Sequence, residues 1–462
     1  MSRKSKSKSL AKPQAVPVAD WVTLVHPDAA GLDIGASEIW VAVPPDRDPQ
    51  PVRSFGTFTP DLQALVAWLK ACRVTSVAME STGVYWIPIF ELLEANGFEV
   101  YLVNAQHIHN VPGRKSDVQD CQWVQRLHTY GLLNASFRPE AEMVVLRAYL
   151  RQRAMLIEHR APHIQHMQKA LHQMNVQLTQ VLSDISGVTG LAIIRAIVAG
   201  ERNPVTLAQL ADRRCHSSQD EIAKALTGNY RPEHVFALKQ ALALYDVYTD
   251  QLAECDRQLE SQYAASKPRF DPDDPQHPLG PDPKPNSHSK NGPEFDVRTP
   301  LFKLVGVDLK AVDGFDESIA QTVLAEIGTR MDRFPSVKHF CSWLGLAPHN
   351  DITGGKVVRR RTLPTHNRAA QALRLAARAA GNSHSAMGDY FRRLRARLGP
   401  KDATTATAHK LARIVYHMLK DRQPYNPLTP EAYSDQLRQR ELNYLKRRAA
   451  KHGWTVQEPA TG

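Results

Sequence analysis

Two apolar runs in the first hundred residues are broken or closed by an acid. Asp33 sits inside Gly31-Leu-Asp-Ile-Gly35, and Glu80 ends Val77-Ala-Met-Glu80. A carboxylate in an otherwise apolar strand needs a partner or an ion, because burying its charge alone costs several kilocalories. That requirement constrains the fold more than any other feature of the chain. Two such strands must lie where their acids share a solution.

The pattern around them is mixed α/β. Gly31–Val43 reads as a strand, a tight turn and a second strand, and Val52–Phe58 as a third. Thr59-Pro60 opens a helix, with Thr59 at the cap and Pro60 in the first turn. Val74–Glu80 is a short buried strand, Tyr85–Asn96 a helix ending at Gly97, and Phe98–Val103 a further strand. Three strands, helix, strand, helix, strand, helix is the order of an RNase-H-like sheet. In such a sheet the strands of Asp33 and Glu80 are neighbours. A third element, Arg114-Lys-Ser-Asp-Val-Gln-Asp-Cys-Gln-Trp123, places Asp117 and Asp120 on one helix face, with Ser116 as cap. Four carboxylates from three elements suit a hard divalent cation, Mg²⁺ or Mn²⁺. Each acid also has a plainer explanation. An aspartate at a strand end serves turns, and an i, i+3 pair near a helix start complements its dipole.

The expected organisation is a disordered basic arm over 1–20, the α/β domain over 21–138 and a helical, coiled-coil region over 139–265. A linker or loop rich in Pro and Asp covers 266–298, a basic and mainly α domain 299–422, and a peripheral tail 423–462. A break is expected near Pro162. Ile185-Ser-Gly-Val-Thr-Gly190 and Ala311-Val-Asp-Gly-Phe-Asp316 each put a glycine turn before an apolar helix. They serve either as phosphate-holding helix-hairpin-helix elements or as ordinary capped helix starts.

The net charge is +11, which favours a polyanionic partner. Ribosomal, membrane-surface and DNA-binding proteins all share this bias. From Lys356 to Arg422 there are 16 Lys and Arg against three acids, an excess above that of the whole chain. Arg359, Arg360 and Arg361 follow a Thr-Gly-Gly-Lys turn, and Arg392, Arg393, Arg395 and Arg397 cluster beside Tyr390 and Phe391. With Gly354, Gly355, Lys356, Arg368 and Lys410 they form the candidate nucleic-acid-binding set. Arg147, Arg151, Arg153 and Lys169 read first as ordinary helix-surface residues. Five scattered cysteines without a Cys-x-x-Cys pair fit reduced thiols and argue against zinc. No membrane span is expected, and the expected location is the bacterial cytoplasm, at the nucleoid.

Leu32-Asp-Ile-Gly-Ala-Ser, Met79-Glu-Ser-Thr-Gly-Val-Tyr-Trp and Arg114-Lys-Ser-Asp-Val-Gln-Asp together resemble the three motifs of the DEDD insertion-sequence transposases. That family includes the bridge-RNA-guided recombinases and the Piv-type DNA invertases. Trp343-Leu-Gly-Leu-Ala-Pro-His-Asn-Asp-Ile-Thr-Gly-Gly-Lys356 and Ala403-Thr-Thr-Ala-Thr-Ala-His-Lys-Leu-Ala-Arg-Ile-Val-Tyr416 resemble its second domain. The resemblance spans about residues 28 to 422 and implies a RuvC-like first domain with Asp33, Glu80, Asp117 and Asp120 as the metal set. It also implies a nucleophilic serine before Gly-Gly-Lys, where this chain has Thr353. Threonine keeps the hydroxyl but adds a methyl that stiffens χ1 and crowds the approach to phosphorus.

The function so implied is transposition of an insertion sequence by Mg²⁺-assisted cleavage and rejoining of donor and target DNA. A noncoding bridge RNA is the implied guide. The implied assembly is a dimer or tetramer, with the metal set supplied to the nucleophile by another protomer. Three alternatives stand beside it: a Holliday-junction-resolvase-like nuclease, a Piv-type invertase, and a domesticated nucleic-acid-binding protein without catalysis.

Overall fold

The computed structural model describes residues 23–81, 83–104, 116–285, 290–362 and 364–456, with Arg360 described by its backbone alone. The expected basic arm, Thr82, Arg114 and Lys115 lie outside the described residues. The chain divides into two compact units, ending and beginning at Arg138 and Pro139.

The first unit is built on a mixed sheet of five strands. They are β1 (Ala29–Ile34), β2 (Glu38–Ala42), β3 (Val52–Gly56), β4 (Ser76–Glu80) and β5 (Glu99–Val103), in spatial order β3-β2-β1-β4-β5. β1 to β3 are antiparallel, whereas β4 and β5 run parallel to β1. This fits an α/β RNase-H-like domain. Helices α1 (Thr59–Ala71) and α2 (Trp86–Ala95) cross from β3 to β4 and from β4 to β5.

The strands obey the period of two. Leu32 and Ile34 of β1, with Val77 and Met79 of β4, join Leu65, Leu69, Ile89 and Leu93 of α1 and α2 in one core. Each such side chain contributes about 1.5–3 kcal/mol by leaving water. The alternate residues, Gly31 and Asp33 of β1 and Ala78 and Glu80 of β4, therefore point to the opposite face. That face is covered by α3 (Asp117–Thr129), whose Val124 packs with Ala78, Val103 and Leu133. The N-cap of α1 is Phe58 rather than Thr59, which is already helical, and no side chain caps it. Pro60 is in the first turn as expected, where its missing N–H is not needed.

The second unit is mainly helical. α4 (Ala141–Gln173) and α5 (Pro232–Ala265) run antiparallel, with Arg160 reaching Thr249 and Arg153 reaching Asp256. The expected break at Pro162 does not occur: the helix continues through it to Gln173. One lost backbone hydrogen bond is outweighed by the packing of α4 along α5, whose Leu238, Ala241, Leu242 and Tyr245 share a core with Met167, Ala170 and Leu171. Arg153 is not a surface residue. It is buried, pairs with Asp256 at 2.5 and 3.1 Å, and donates to the carbonyls of Asn291 and Gly292. Arg147 and Arg151 both meet Glu326.

The Pro- and Asp-rich segment after α5 carries no helix or strand among its described residues until Arg298, yet it is held at several points. Lys284 Nζ donates to the carbonyls of Lys310, Val312 and Phe315 at 2.9, 2.8 and 3.0 Å. Arg298 donates to the carbonyls of Gly280 and Pro281.

Beyond it lie α6 (Glu317–Ile327), a β-hairpin of β6 (Pro348–Thr353) and β7 (Lys356–Thr362), α7 (Arg368–Gly381), α8 (Ala386–Leu398) and α9 (Pro400–Asp421). The domain expected over 299–422 is mainly α, and the hairpin is the exception. β-Branched Ile352, Val357 and Val358 flank two glycines there, which favours a hairpin over a helix. The tail is not without structure: α10 (Pro430–Ala450) starts from Thr429, whose hydroxyl accepts from the N–H of Ala432. Among the described residues no helix is long and apolar enough to cross a membrane.

Candidate active site

Gly31 explains how the four acids come together. A Cβ built on it would lie 2.2 Å from the backbone nitrogen of Gln125 and 2.4 Å from the carbonyl oxygen of Cys121. Glycine thus lets α3 rest directly on β1. Asp33, two residues on and on the same face, then lies toward the start of that helix, where Asp117 and Asp120 stand. The parallel register pairs Gly31 with Ala78 and Leu32 with Met79, so Asp33 and Glu80 follow side by side at the strand ends.

The electrostatics agree with this placement. Burial, then the charges of Asp117, Asp120 and Glu80 in that order, push the Asp33 carboxyl from 3.8 up to about 6, against a backbone hydrogen bond from Ile34. Asp33, Glu80 and Asp120 are partly buried and Asp117 is exposed. Cys121, buried under the same helix turn, has its thiol pushed up to about 12, chiefly by burial. Ser116 does hold the N-cap position of α3, though its side chain makes no capping hydrogen bond. Among the described residues no three His, Cys, Asp or Glu side chains are already grouped as ion ligands. The acids converge on Asp33 without closing into a cage.

Thr353 lies elsewhere in character, at the exposed tip of the hairpin and paired with Lys356 in the strand register. Gly354 and Gly355 form the two-residue turn with φ of +55° and +74°. Both being positive, the turn is of the primed kind that matches strand twist and selects glycine. The register slips between Asp351 and Ile352, a bulge just before the tip.

Two family models match the chain. One, described as a transposase of the IS110 DEDD type, matches residues 30–176, and the other, described as Transposase IS116/IS110/IS902 family, matches residues 308–392. The chain belongs to the IS110 family of DEDD transposases. A search of curated proteins gave no match. This transposase is accordingly an enzyme that recombines DNA, and DNA is its substrate.

The first match contains all four acids and continues past the first unit through the whole of α4. The second contains Thr353 and stops at Arg392, short of the Ala403–Tyr416 stretch that also resembles the transposase's second domain.

The basic residues of this IS110 transposase divide by their surroundings. Arg359 and Arg360 stand opposite Asp351 and Asn350 in the hairpin register, and Arg361 makes an exposed 3.5 Å pair with Asp351. Lys356, Arg359, Arg361, Arg368, Arg395 and Arg397 are exposed. Arg392 is committed to the fold: it donates to the carbonyls of Gly381 and Ser383 and pairs with Asp389. Arg393 donates to the hydroxyl of Tyr433, and Lys410 sits half-buried over the ring of Tyr390 at 4.1 Å. The sequence reading missed Gly31 as a residue that shapes the site. Its signal was available: a glycine two places before a strand acid shares that acid's face.

Proposed function

We propose that this transposase cleaves and rejoins DNA with Mg²⁺ or Mn²⁺ held by Asp33, Glu80, Asp117 and Asp120 of a RuvC-like domain, with Thr353 as the nucleophile. The observation that supports the metal set is the Asp33 carboxyl, raised to about 6 by burial and by three neighbouring acids. Four carboxylates drawn toward one corner, with the ionisation of Asp33 opposed by burial and by the other three, favour a site for a cation. The donor set is all oxygen, which suits a hard divalent ion. When bound, such an ion lowers the pKa of an attacking hydroxyl and offsets charge on the phosphoryl oxygens.

The chain's own residues supply position. β1 and β4 fix Asp33 and Glu80 on a rigid sheet, and α3 brings Asp117 and Asp120 from above. In the covalent step, Thr353 Oγ1 loses its proton and attacks phosphorus. The bond to the leaving deoxyribose oxygen breaks, and that oxygen takes up a proton. Rejoining is the reverse attack by the hydroxyl of another strand, which releases Thr353. The exposed hairpin tip gives that hydroxyl room to reach a backbone. The acids act on the nucleophile of another protomer in a dimer or tetramer. A noncoding bridge RNA selects donor and target DNA, and the basic stretch 356–422 holds the nucleic acid by its phosphates. The domain boundaries given above at 138, 265, 298 and 422 belong to this proposal.

The test is recombination of donor and target DNA with cognate RNA and Mg²⁺, read together with the protein–DNA adduct. Thr353→Ala is expected to abolish the adduct and Asp33→Asn to abolish cleavage. An undiminished adduct in Thr353→Ala removes the nucleophile assignment. Normal recombination by Asp33→Ala and Asp120→Asn removes the metal set.

A further inference from the structure

A cavity of about 490 Å³ lies within the second unit, lined by the start of α8, the end of α9, residues 423–428 and Tyr433 of α10. That volume falls within the roughly 300–1,000 Å³ of small-ligand sites. One wall is apolar, with Met387, Met418 and Leu428, and another carries Lys410 and Arg413.

The cations here are poorly matched. Burial is the chief cause that holds the Lys410 ammonium below the usual lysine range, and Arg393, Arg440 and Arg413 push it the same way. Asp313 opposes them, and it already accepts the hydroxyl of Tyr425 at 3.0 Å. Lys410 lies over two rings, 4.1 Å from the centroid of Tyr390 and 5.6 Å from that of Tyr433. Among the described residues neither Lys410 nor Arg413 forms an ion pair. Exposed Arg393, Arg413 and Arg440 beside the half-buried Lys410 ammonium oppose its charge, and an anion would offset that opposition. An anion alone would not need the aromatic and thioether wall. A nucleotide does, because its phosphate answers the cations and its base answers the wall.

We infer that this cavity receives one unstacked nucleotide of a single strand, with its phosphate against Lys410 and Arg413 and its base against Met387, Met418 and Leu428. The inference rests on reading the basic stretch as nucleic-acid-binding, and adds a defined seat for one residue of a strand. A DNA strand opened during recombination and a guide RNA both supply that chemistry.

The experiment uses the full chain and three short probes of one sequence carrying 2-aminopurine: single-stranded DNA, single-stranded RNA and duplex DNA. Anisotropy gives affinity, and quenching of the analogue reports a base packed on the protein. Lys410→Met keeps the stem but removes the charge. Leu428→Trp fills the mouth and leaves every charge in place, and circular dichroism checks that both fold. The expected result is quenching with a single strand, lost in both variants, and affinity reduced about tenfold or more, with a smaller loss for duplex. A larger loss for the DNA strand assigns the seat to DNA, and a larger loss for the RNA strand assigns it to the guide. If the wild type binds single strands and both variants match it, the cavity inference is overturned while the basic stretch keeps its role. If the wild type binds no probe, both fall together.

Discussion

Asp33 holds a charge on a strand whose other face is core, so it sets the energetics of its corner. In the absence of metal its carboxyl is raised to about 6, a sign that ionisation there is opposed. Asp33→Asn removes that opposition and is expected to raise the melting stability of the metal-free protein by about 1 kcal/mol, once solvent screening of a half-buried group is allowed for. The same variant is expected to lose the stabilisation that Mg²⁺ gives the wild type, about 2.7 kcal/mol at a hundredfold excess over the dissociation constant. A wild type whose melting ignores Mg²⁺ would remove the metal set. At Thr353 the expected order of adduct formation is Thr353→Ser at or above wild type, and Thr353→Ala at background, read on denaturing gels. His128 gives the molecule a pH dependence of its own. Buried, stacked on His26 at 4.4 Å and 3.1 Å from Ser76 Oγ, its ring is lowered to about 4, by burial first and by His26 second. Unfolded histidine protonates near 6.5. Stability is therefore full above about 6.5 and is lost as pH falls toward 4, by at most about 3 kcal/mol. Urea midpoints across that window should fall in the wild type and stay flatter in His128→Gln.

At the scale of elements, the close approach of α3 to β1 is the contact on which the four acids depend. Gly31→Ala must push the helix off the sheet, since its new Cβ would meet backbone rather than a yielding side chain. The expected cost is about 1–3 kcal/mol, with weaker Mg²⁺ stabilisation even though all four acids remain. The strand order was legible because β1, β4 and β5 are short apolar runs between turns, and the acids because they interrupt those runs. What was not legible is instructive. Pro162 looked like a stop, because the packing that carries a helix through proline comes from α5, seventy residues on. Arg153 looked like surface, because nothing in its own helix announces Asp256. The hairpin at Thr353 was hidden in a helical neighbourhood, although Gly354 and Gly355 were themselves the turn signal. No part of the sequence near Lys410 points to Tyr433, since that pairing is made only when α10 folds back.

The whole molecule is two units with unequal charge. The excess of base in 356–422 is larger than the net charge of the entire chain, so binding to DNA should be steeply salt-dependent. Replacing the exposed Arg359, Arg361 and Arg368 by glutamine should weaken binding to all sequences alike. It should also reduce the slope of log affinity on log salt by roughly two to three. A slope unchanged within error would place the DNA elsewhere.

The segment between α5 and Arg298 has a further consequence. Its composition is that of a spacer, the place where an engineer would cut, tag or lengthen the chain. Lys284 ends in a tripod of three carbonyl oxygens, and the side chains of Arg153 and Arg298 clasp backbone at either side of it. Such a segment behaves as a buckle. Proteases that seek loose, proline-rich chain should pass over the stretch around Lys284. An insertion there should loosen the α4–α5 pair and the turn before α6 together, at a distance from where it was made.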